Sequence, residues 1–373
     1  MWHSLHAAVL SSDPGRPIFN AFSAEGVEKK APAGRLLLYY LDSRQVTPVV
    51  INGWPEGRPF HPLGIGLLES SSPSSFATAI LAVANYQQHS ASVEMFRLTA
   101  KPADLPSTSP PSSISAVHLR TFEHPSITSP NAVVPLSESH VIFTNSYRIS
   151  PRRTPLLAKL ELMFAYPGGR VIALFGDANG QVASTTLASG IAIANGLALN
   201  ADRSILAVAG SMSHSIHVYD VRNGNERITD STQLRLRKTV PVGFSTDNLQ
   251  FVHQHGKKDE ELLLAAGHPD ALAYLRTAKT GGGTLAPSRI AKIRIAKAVP
   301  AAGTPPSLLQ RVYSLFEVKD GDAVIIFESL GSFYGTSSTA APFRDPEHGG
   351  KQEMLVTSLW EHGMMRCKDV DLS

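Results

Sequence analysis

The stretch that decides the fold is Ala194-Asn195-Gly196-Leu197, which is followed by two short apolar runs at 204–209 and 215–219. Runs of about four to eight residues that are rich in β-branched and aromatic residues and end at turn residues are typical of strands. In the second run, Ile216 and Val218 alternate with residues of the other face, as on a strand with one side more buried. The stretch therefore predicts three consecutive strands that begin with a small polar signature.

Similar apolar runs recur along the whole chain, between clusters of Gly, Pro, Ser, Asn and Asp. They lie at 35–40, 79–83, 93–98, 140–143, 261–265, 289–295, 309–313 and 323–327. Only the segment at about 155–166 predicts a helix, with Thr154 as the cap, Pro155 at the first position and its apolar residues on one stripe. Many strands with one amphipathic helix predict an all-β fold, which is a sandwich, a barrel or a propeller.

Short polar segments at the start of certain strands, here called openings, distinguish these three architectures. They recur at intervals of roughly 50 to 80 residues, a spacing typical of four-stranded propeller blades with variable loops. The openings are His61–Ile65, Pro130–Val133, Ala194–Leu197, Thr246–Leu249 and, more weakly, Leu330–Ser332. We therefore predict a single β-propeller domain over residues 1–373. Because the innermost strand of each blade begins at the central channel, these polar residues are expected to converge there.

Composition excludes several classes of protein. Of the 373 residues, 43% are hydrophobic and 17% are charged, which is enough apolar material for a core and excludes a mostly disordered chain. The formal net charge of +3 does not favour binding to nucleic acid or to an anionic membrane. The sequence has no apolar run long enough to span a bilayer and no recognisable secretory signal. The single cysteine, Cys367, excludes an internal disulfide and a cysteine-based zinc site.

Four residues at the blade openings predict a metal site: Asn131, Asn195, Asp247 and Asn248. Amide and carboxylate oxygens without thiolate or imidazole ligands suit a hard cation, namely calcium. Any one of these residues is also an ordinary turn residue. Their shared position in successive blades favours the metal site over four independent turns.

Two histidines, His61 and His268, are candidate catalytic residues because both lie at blade junctions. A structural role is the alternative for each of them. The sequence contains neither a Gly-x-Ser-x-Gly nucleophile motif nor a phosphate-binding Gly-x-x-x-x-Gly-Lys-Ser/Thr loop.

Taken together, these openings resemble the serum paraoxonase/arylesterase family of calcium-dependent six-bladed propellers, and its fungal branch in particular. The resemblance runs from about residue 5 to residue 368 and implies six blades of about 60 residues each. It is strongest in Phe60–Ile65, Ser92–Phe96, Asn131–Val134, Ile193–Leu197, Ile216–Tyr219, Thr246–Leu249 and Gly267–Pro269.

The resemblance implies that Asn131, Asn195, Asp247 and Asn248 bind the family's catalytic calcium at the floor of the channel. That ion also takes a Glu from a Glu-Asp pair near the N-terminus of the family. This pair has no counterpart here, because the match begins after the position where it would stand. A second calcium of the family uses the Asp of the pair and another Asp, whose position is Ala132 here. We therefore expect one Ca²⁺ site.

Other family positions differ as well. The pair of channel histidines falls on Leu63 and Tyr86, so that His61, two residues from the first, is the available substitute. The helix at about 155–166 resembles the family's cover over the channel mouth, which also contacts apolar or membrane surfaces. Cys367 matches a cysteine that pairs in the family with one near the N-terminus; that partner would precede residue 1, as would a signal for the secretory pathway.

These observations predict a calcium-dependent hydrolase of lactones or aryl esters, with a small-molecule substrate. Calcium would polarise the carbonyl, and a water activated by Asp247 or His61 would attack it. The alternative is a non-catalytic propeller that acts as a binding or scaffold module, since this fold hosts many functions. A third reading is a relative of sugar lactonases or of strictosidine synthase, which share the architecture.

Overall fold

The short apolar runs form six sheets of three to five strands in the part of the chain that the computed structural model describes. The prediction of an all-β, six-bladed β-propeller is therefore confirmed, with one sheet per blade. The described residues are 1–20, 30–70, 76–100, 114–222, 232–252, 260–280, 286–297, 323–331, 334–345, 351–359 and 363–372.

The blades follow one another along the chain, and each is an antiparallel meander. Blade 1 is β1–β3, blade 3 is β9–β12, blade 4 is β13–β16, blade 5 is β17–β20 and blade 6 is β21–β23. Blade 2 is β5–β8, to which β4 adds in parallel alongside β8. The strands are β1 Ala7–Ser12, β2 Arg35–Tyr40, β3 Val46–Pro48, β4 Val50–Asn52, β5 Pro62–Glu69, β6 Ala77–Tyr86, β7 Ala91–Ala100, β8 Ser115–Phe122, β9 Pro130–Pro135, β10 His140–Asn145, β11 Gly169–Gly176, β12 Val182–Ile191, β13 Ala194–Leu199, β14 Ile205–Gly210, β15 Ser215–Arg222, β16 Gln233–Pro241, β17 Ser245–Val252, β18 Glu260–His268, β19 Ser288–Ala296, β20 Ala323–Ser329, β21 Ser337–Asp345, β22 Lys351–Ser358 and β23 Met365–Cys367.

All predicted strands that fall on described residues are present, and the run at 309–313 lies outside the described residues. Several of them are buried on both faces rather than one. In β18, Leu263 packs into the core between blades 4 and 5, while Leu262 and Leu264 pack into the core between blades 5 and 6. A strand enclosed by sheets on both sides needs a continuous apolar run, as the sequence of β18 has.

The predicted helix is confirmed as α1 (Pro155–Met163), which ends three residues before the expected boundary. Its apolar stripe does not face the protein, because Leu156, Met163 and Phe164 are all at least 65% exposed. The buried residues of α1 are instead Ala158 and Glu161.

A polar anchor explains this orientation of α1. The Glu161 carboxylate accepts hydrogen bonds from the backbone N–H groups of Arg148 (2.7 Å) and Ile149 (3.1 Å). Arg152, in the segment before the helix, donates to the carbonyls of Gln88 and Asn20. These bonds fix the polar side of α1 to the protein and turn its apolar side outward.

A second helix, α2 (Ala271–Thr280), corrects the expectation of a single helix. The Asp270 side chain accepts the N–H of Ala273 at 2.9 Å and caps the first turn. The sequence carries this signal, since a capping Asp follows Pro269 and three glycines begin at Gly281.

The chain packs into two compact units. Among the described residues, the first unit comprises those up to Ala194 together with Thr232, and the second comprises all the others from Asn195 onward. The boundary at Ala194 falls at the start of β13. The expected single domain over residues 1–373 stays a prediction.

A buried carboxylate organises blade 2 in the first unit. Glu94 on β7 is fully buried, and hydrogen bonds together with an ion pair offset the cost of burying its charge. Its partners are Ser92 (2.6 Å), Thr121 (2.6 Å), His118 (3.1 Å), Arg58 (3.2 Å) and Asn85 (3.4 Å). Burial raises the pKa of Glu94, but the bonds from His118, Ser92 and Thr121 and the charge of Arg58 outweigh it, so the pKa is lowered.

We predict that Glu94→Gln lowers the free energy of unfolding by about 1–3 kcal/mol, because it places an amide NH2 group where the fully buried carboxylate accepts hydrogen bonds from Ser92 and Thr121. Urea unfolding measures this change. The matched control is Glu138→Gln, which removes an ion pair with Arg97 whose side chains are 50% and 45% exposed; its effect is expected to stay within about 1 kcal/mol.

The same substitution removes a pH dependence of stability. Since the folded pKa of Glu94 lies below its ordinary value of 4.5, its stabilising contribution is complete above that value and disappears as the pH falls through the folded pKa. Equal unfolding free energies for the two variants at pH 7 would contradict the assigned role of Glu94.

Candidate functional site

The first strands of three blades carry a β-bulge close to their start. Between Pro62 and Ile65 in β5, between Pro130 and Val133 in β9, and between Thr246 and Leu249 in β17, the ladder advances three residues against two on the neighbouring strand. A bulge leaves residues outside the regular pairing and redirects their side chains. Three of the predicted ligands, Asn131, Asp247 and Asn248, lie in these bulges.

In the second unit, a glycine brings the remaining ligand candidate, Asn195, close to Asp247 and Asn248. Gly196 follows Asn195 in β13, and a Cβ atom there would lie 2.4 Å from the carbonyl oxygen of Asp247 and 2.7 Å from Cα of Asn248. Only a residue without a side chain allows this backbone contact. The structure therefore places Asn195 on the strand next to Asp247 and Asn248.

Two serines orient the asparagines of β9 and β13. In the second unit, Asn195 Nδ2 donates to Ser211 Oγ at 3.1 Å, and Ser211 Oγ donates to the carbonyl of Thr246 at 2.6 Å. In the first unit, Asn131 Nδ2 donates to Ser146 Oγ, also at 3.1 Å. Since the amide nitrogen donates to the serine, the amide oxygen is the atom of each asparagine with the chemistry to bind a cation.

The donors in the second unit fit calcium. Asp247 is buried (7% exposed), and Asn195 and Asn248 are half-buried beside it, so one carboxylate and two amides supply oxygen ligands. The hydroxyl of Thr246, also buried, has no hydrogen-bond partner among the described residues, as expected beside a site for an ion or its water.

The predicted ligands carry little negative charge, since Asp247 is the one carboxylate among them. Across the described chain, no group of three or more His, Cys, Asp or Glu side chains could hold a metal. Asn131 lies in the first unit, so its place in the same site stays a prediction.

His61 lies in the first unit, directly before β5, and is buried (4% exposed). Its Nδ1 lies 3.3 Å from Oδ1 of Asp13, and its backbone N–H donates to Oδ1 of Asn85 at 2.7 Å. The ring of Phe19 packs at 4.7 Å between centroids. An imidazole oriented by a carboxylate through Nδ1 keeps Nε2 for proton transfer, which is the arrangement of a general base.

The two positions that the resemblance assigns to histidines lie near His61. Tyr86, at the end of β6, donates its backbone N–H to the carbonyl of His61 at 3.2 Å. Burial raises the pKa of the Tyr86 phenol although Arg16 and Arg152 lower it, so this side chain is a hydrogen-bond donor and not a base. Leu63 offers no proton chemistry. His61 is therefore the candidate base at this end of the first unit.

His268 ends β18 in the second unit, opposite Ser245. It is 4% exposed, and neither of its ring nitrogens has a hydrogen-bond partner among the described residues. Its ring stacks on Tyr274 of α2, with centroids 4.4 Å apart and an angle of 16° between planes. Burial lowers the pKa of His268 to about 4, so the imidazole is neutral at neutral pH.

Sequence reasoning missed the residues that support these side chains. Asp13 precedes Pro14 and Gly15, a turn signature that indicates only a loop. Ser146 and Ser211 each follow the second strand of a blade, and this shared position is the signal that could have revealed them. Tyr274 depended on recognising α2.

Cys367, the one cysteine of the sequence, is a free, half-buried thiol at the end of β23, and burial raises its pKa. Its pairing with a cysteine outside this sequence stays a prediction. Within the described ranges, no helix combines the length and the hydropathy needed to cross a membrane.

Comparison with known proteins gives one family. A family model described as arylesterase matches residues 17–297. The chain is 26% identical over 211 residues to serum paraoxonase/arylesterase 2 of Canis lupus familiaris, a match that covers 57% of this chain and 50% of that protein. The matched region thus spans about half the length of this curated relative.

Solved structures with similar folds have low sequence identity. A periplasmic gluconolactonase of Pseudomonas aeruginosa is 15% identical, with a TM-score of 0.45 over 97% of this chain and 77% of that chain. A protein from Lactobacillus plantarum is 12% identical, with a TM-score of 0.43 over 96% of this chain and 91% of that chain. No inference about activity follows from these two likenesses.

We predict that Gly196→Ala lowers the free energy of unfolding by about 1–3 kcal/mol, because the new methyl group forces β13 away from β17. The same shift should reduce any property that needs Asn195 beside Asp247. Thermal unfolding measures the first effect. The control is Gly363→Ala in the same unit, where a Cβ meets nothing within 4 Å; a Gly196→Ala protein as stable as this control would refute the close contact.

Proposed function

We propose that this chain, which belongs to the arylesterase family, hydrolyses lactones or aryl esters in a calcium-dependent reaction. The observation that carries the proposal is the set of oxygen donors on β13 and β17, where Gly196 lets two strands approach backbone to backbone. The family membership supports a carboxylic ester hydrolase, and the donor set supports the choice of calcium.

Asn195, Asp247 and Asn248 would hold the ion, with Asn131 as the fourth predicted ligand. A bound calcium supplies Lewis acidity, which polarises a carbonyl oxygen and stabilises negative charge on it. The chain's own contribution is to present the amide oxygens: Ser211 holds the amide nitrogen of Asn195 and so fixes which atom faces the site. Asp247 adds the only formal negative charge among these ligands.

His61 is the proposed general base. Asp13 holds its Nδ1, so that Nε2 can take a proton from water, and the side-chain Oδ1 of Asn85 accepts the backbone N–H of His61 and fixes the backbone there. Asp247 is the alternative base. His268 is a weaker candidate, because a nitrogen whose pKa is about 4 holds a proton poorly at neutral pH.

Helix α1 supplies a second element of the proposal, contact with an apolar surface. Its outward stripe consists of large apolar side chains, and the helix carries only Lys159 and the buried Glu161 as charges. A stripe without clustered cations suits a zwitterionic lipid surface better than an anionic one. The exposed members are Leu156, Leu157, Leu160, Met163, Phe164 and Tyr166.

Hydrolysis of phenyl acetate and of a δ-lactone is expected with calcium and is expected to stop when a chelator is added. Asn195→Ala and Asp247→Asn should each lower kcat/KM at least about 100-fold, since each removes a ligand of the group that stabilises the developing charge. Both should also reduce the rise in Tm that calcium causes in the wild type, because that rise reports binding to the folded state.

Two variants sharpen this experiment. Asn179→Ala, in an exposed turn, should change neither activity nor the calcium-induced rise in Tm. His61→Gln should lower activity but keep that rise, which separates the base from the ligands. If the wild type with excess calcium turns over neither substrate, the result contradicts the hydrolase and favours the alternative hypothesis of a non-catalytic binding module.

Flotation with phosphatidylcholine vesicles tests the role of α1. The wild type should float with the vesicles, and the double variant Leu156→Glu, Phe164→Glu should lose more than about tenfold in partitioning, given the apolar area removed. Leu330→Glu, at a site 82% exposed outside α1, is the control and should float like the wild type. Equal flotation of all three proteins would exclude α1 as the contact.

A further inference from the structure

The imidazole of His268 is a buried group with unused hydrogen-bonding capacity. The residue is only 4% exposed, and neither Nδ1 nor Nε2 has a hydrogen-bond partner in the described part of the chain. A buried polar group that makes no hydrogen bond is costly, and in native proteins such a group calls for a ligand, an ion or water.

The ring is also held in a fixed position. Tyr274 stacks on it almost in parallel, at 4.4 Å, and α2 begins only three residues after His268. The helix is itself fixed, because Asp270 caps it and because Thr277 is fully buried and donates to the carbonyl of Ala273 at 3.1 Å. A group with both nitrogens unused and its plane fixed is preorganised for a ligand.

The strand pairing places His268 on the strand that neighbours the candidate ligand Asp247. His268 lies opposite Ser245 in the ladder of β17 and β18, and Asp247 is two residues further along β17. Residues opposite each other in an antiparallel ladder have Cβ atoms about 5 Å apart, and diagonal neighbours lie about 7–8 Å apart. His268 and Asp247 therefore lie on paired strands about two residues apart in register, and one small ligand can contact both.

The chemistry of a neutral imidazole restricts the ligand. One ring nitrogen donates a hydrogen bond and the other accepts one. A hydroxyl group does the same and can match either nitrogen, whereas a carbonyl or ether oxygen can only accept.

We propose that His268, held by Tyr274, binds a hydroxyl group of the substrate, so that the substrate is a hydroxylated lactone rather than a plain aryl ester. This inference rests on the proposed hydrolase function and deepens it. It gives His268 a role in substrate selection.

The test compares two lactones of the same ring size, D-glucono-δ-lactone and δ-valerolactone, which lacks hydroxyl groups. The quantity is the ratio of their kcat/KM values, measured with calcium in a pH-stat and corrected for spontaneous hydrolysis. The wild type should prefer the hydroxylated lactone. In His268→Phe the ratio should fall about tenfold, the effect of losing one or two neutral hydrogen bonds.

Further variants make the result specific. His268→Gln retains a donor and an acceptor and should keep the ratio within about threefold of the wild type. Tyr274→Leu removes the stack and should lower the ratio about threefold. Leu272→Ala, at an exposed position of the same helix, is the control and should leave the ratio unchanged. Thermal unfolding of each variant shows whether it is folded.

The outcomes distinguish the hydrolase function from the role of His268 in substrate selection. A wild type that hydrolyses δ-valerolactone but shows no preference for the hydroxylated lactone overturns the inference and leaves the hydrolase function standing. An unchanged ratio in His268→Phe also overturns it. A wild type that hydrolyses neither lactone nor phenyl acetate overturns the hydrolase function, and the inference falls with it.

Discussion

The constraint on which the rest of the structure depends is the contact between the backbones of neighbouring first strands. In the first unit, a Cβ at Gly64 would lie 1.9 Å from the carbonyl oxygen of Asn131, and in the second unit Gly196 meets Asp247 in the same way. Sheets that pack through side chains lie about 10 Å apart. Glycine removes that layer locally, so polar residues of neighbouring blades come close enough to share a ligand.

In the first unit, hydrogen bonds connect a buried charge that stabilises the fold to the proposed base. The buried Glu94 carboxylate accepts from Asn85, and the carbonyl oxygen of the same Asn85 side chain accepts the N–H of His61. The chain of contacts therefore runs from the charge that organises blade 2 to the proposed base. In the second unit, neutral groups do the corresponding work, since Ser211 connects Asn195 to Thr246.

The sequence was sufficient for the strands and for the repeated openings, because period and turn chemistry are local properties. It was insufficient wherever tertiary contacts decide. The apolar stripe of α1 is evident in the sequence, but the direction in which it faces is not: Glu161 accepts two backbone N–H groups and turns the stripe to solvent. Asp13 meets His61 across 48 residues of chain, and no local pattern encodes such a pairing. Helix α2 differs from these cases: it was missed although local signals predict it, namely the capping Asp270 before the helix and the glycines after it.

The bulges in β5, β9 and β17 have a consequence for how such a protein can evolve. A side chain in a regular ladder is tied to the alternation of its strand, so changing its direction disturbs every residue that follows. A residue in a bulge is released from that alternation. Proposed ligands such as Asn131 and Asp247 can thus be exchanged one at a time while the apolar pattern beyond them stays in register. This separation allows the chemistry of the site to change without disturbing the strands that carry it.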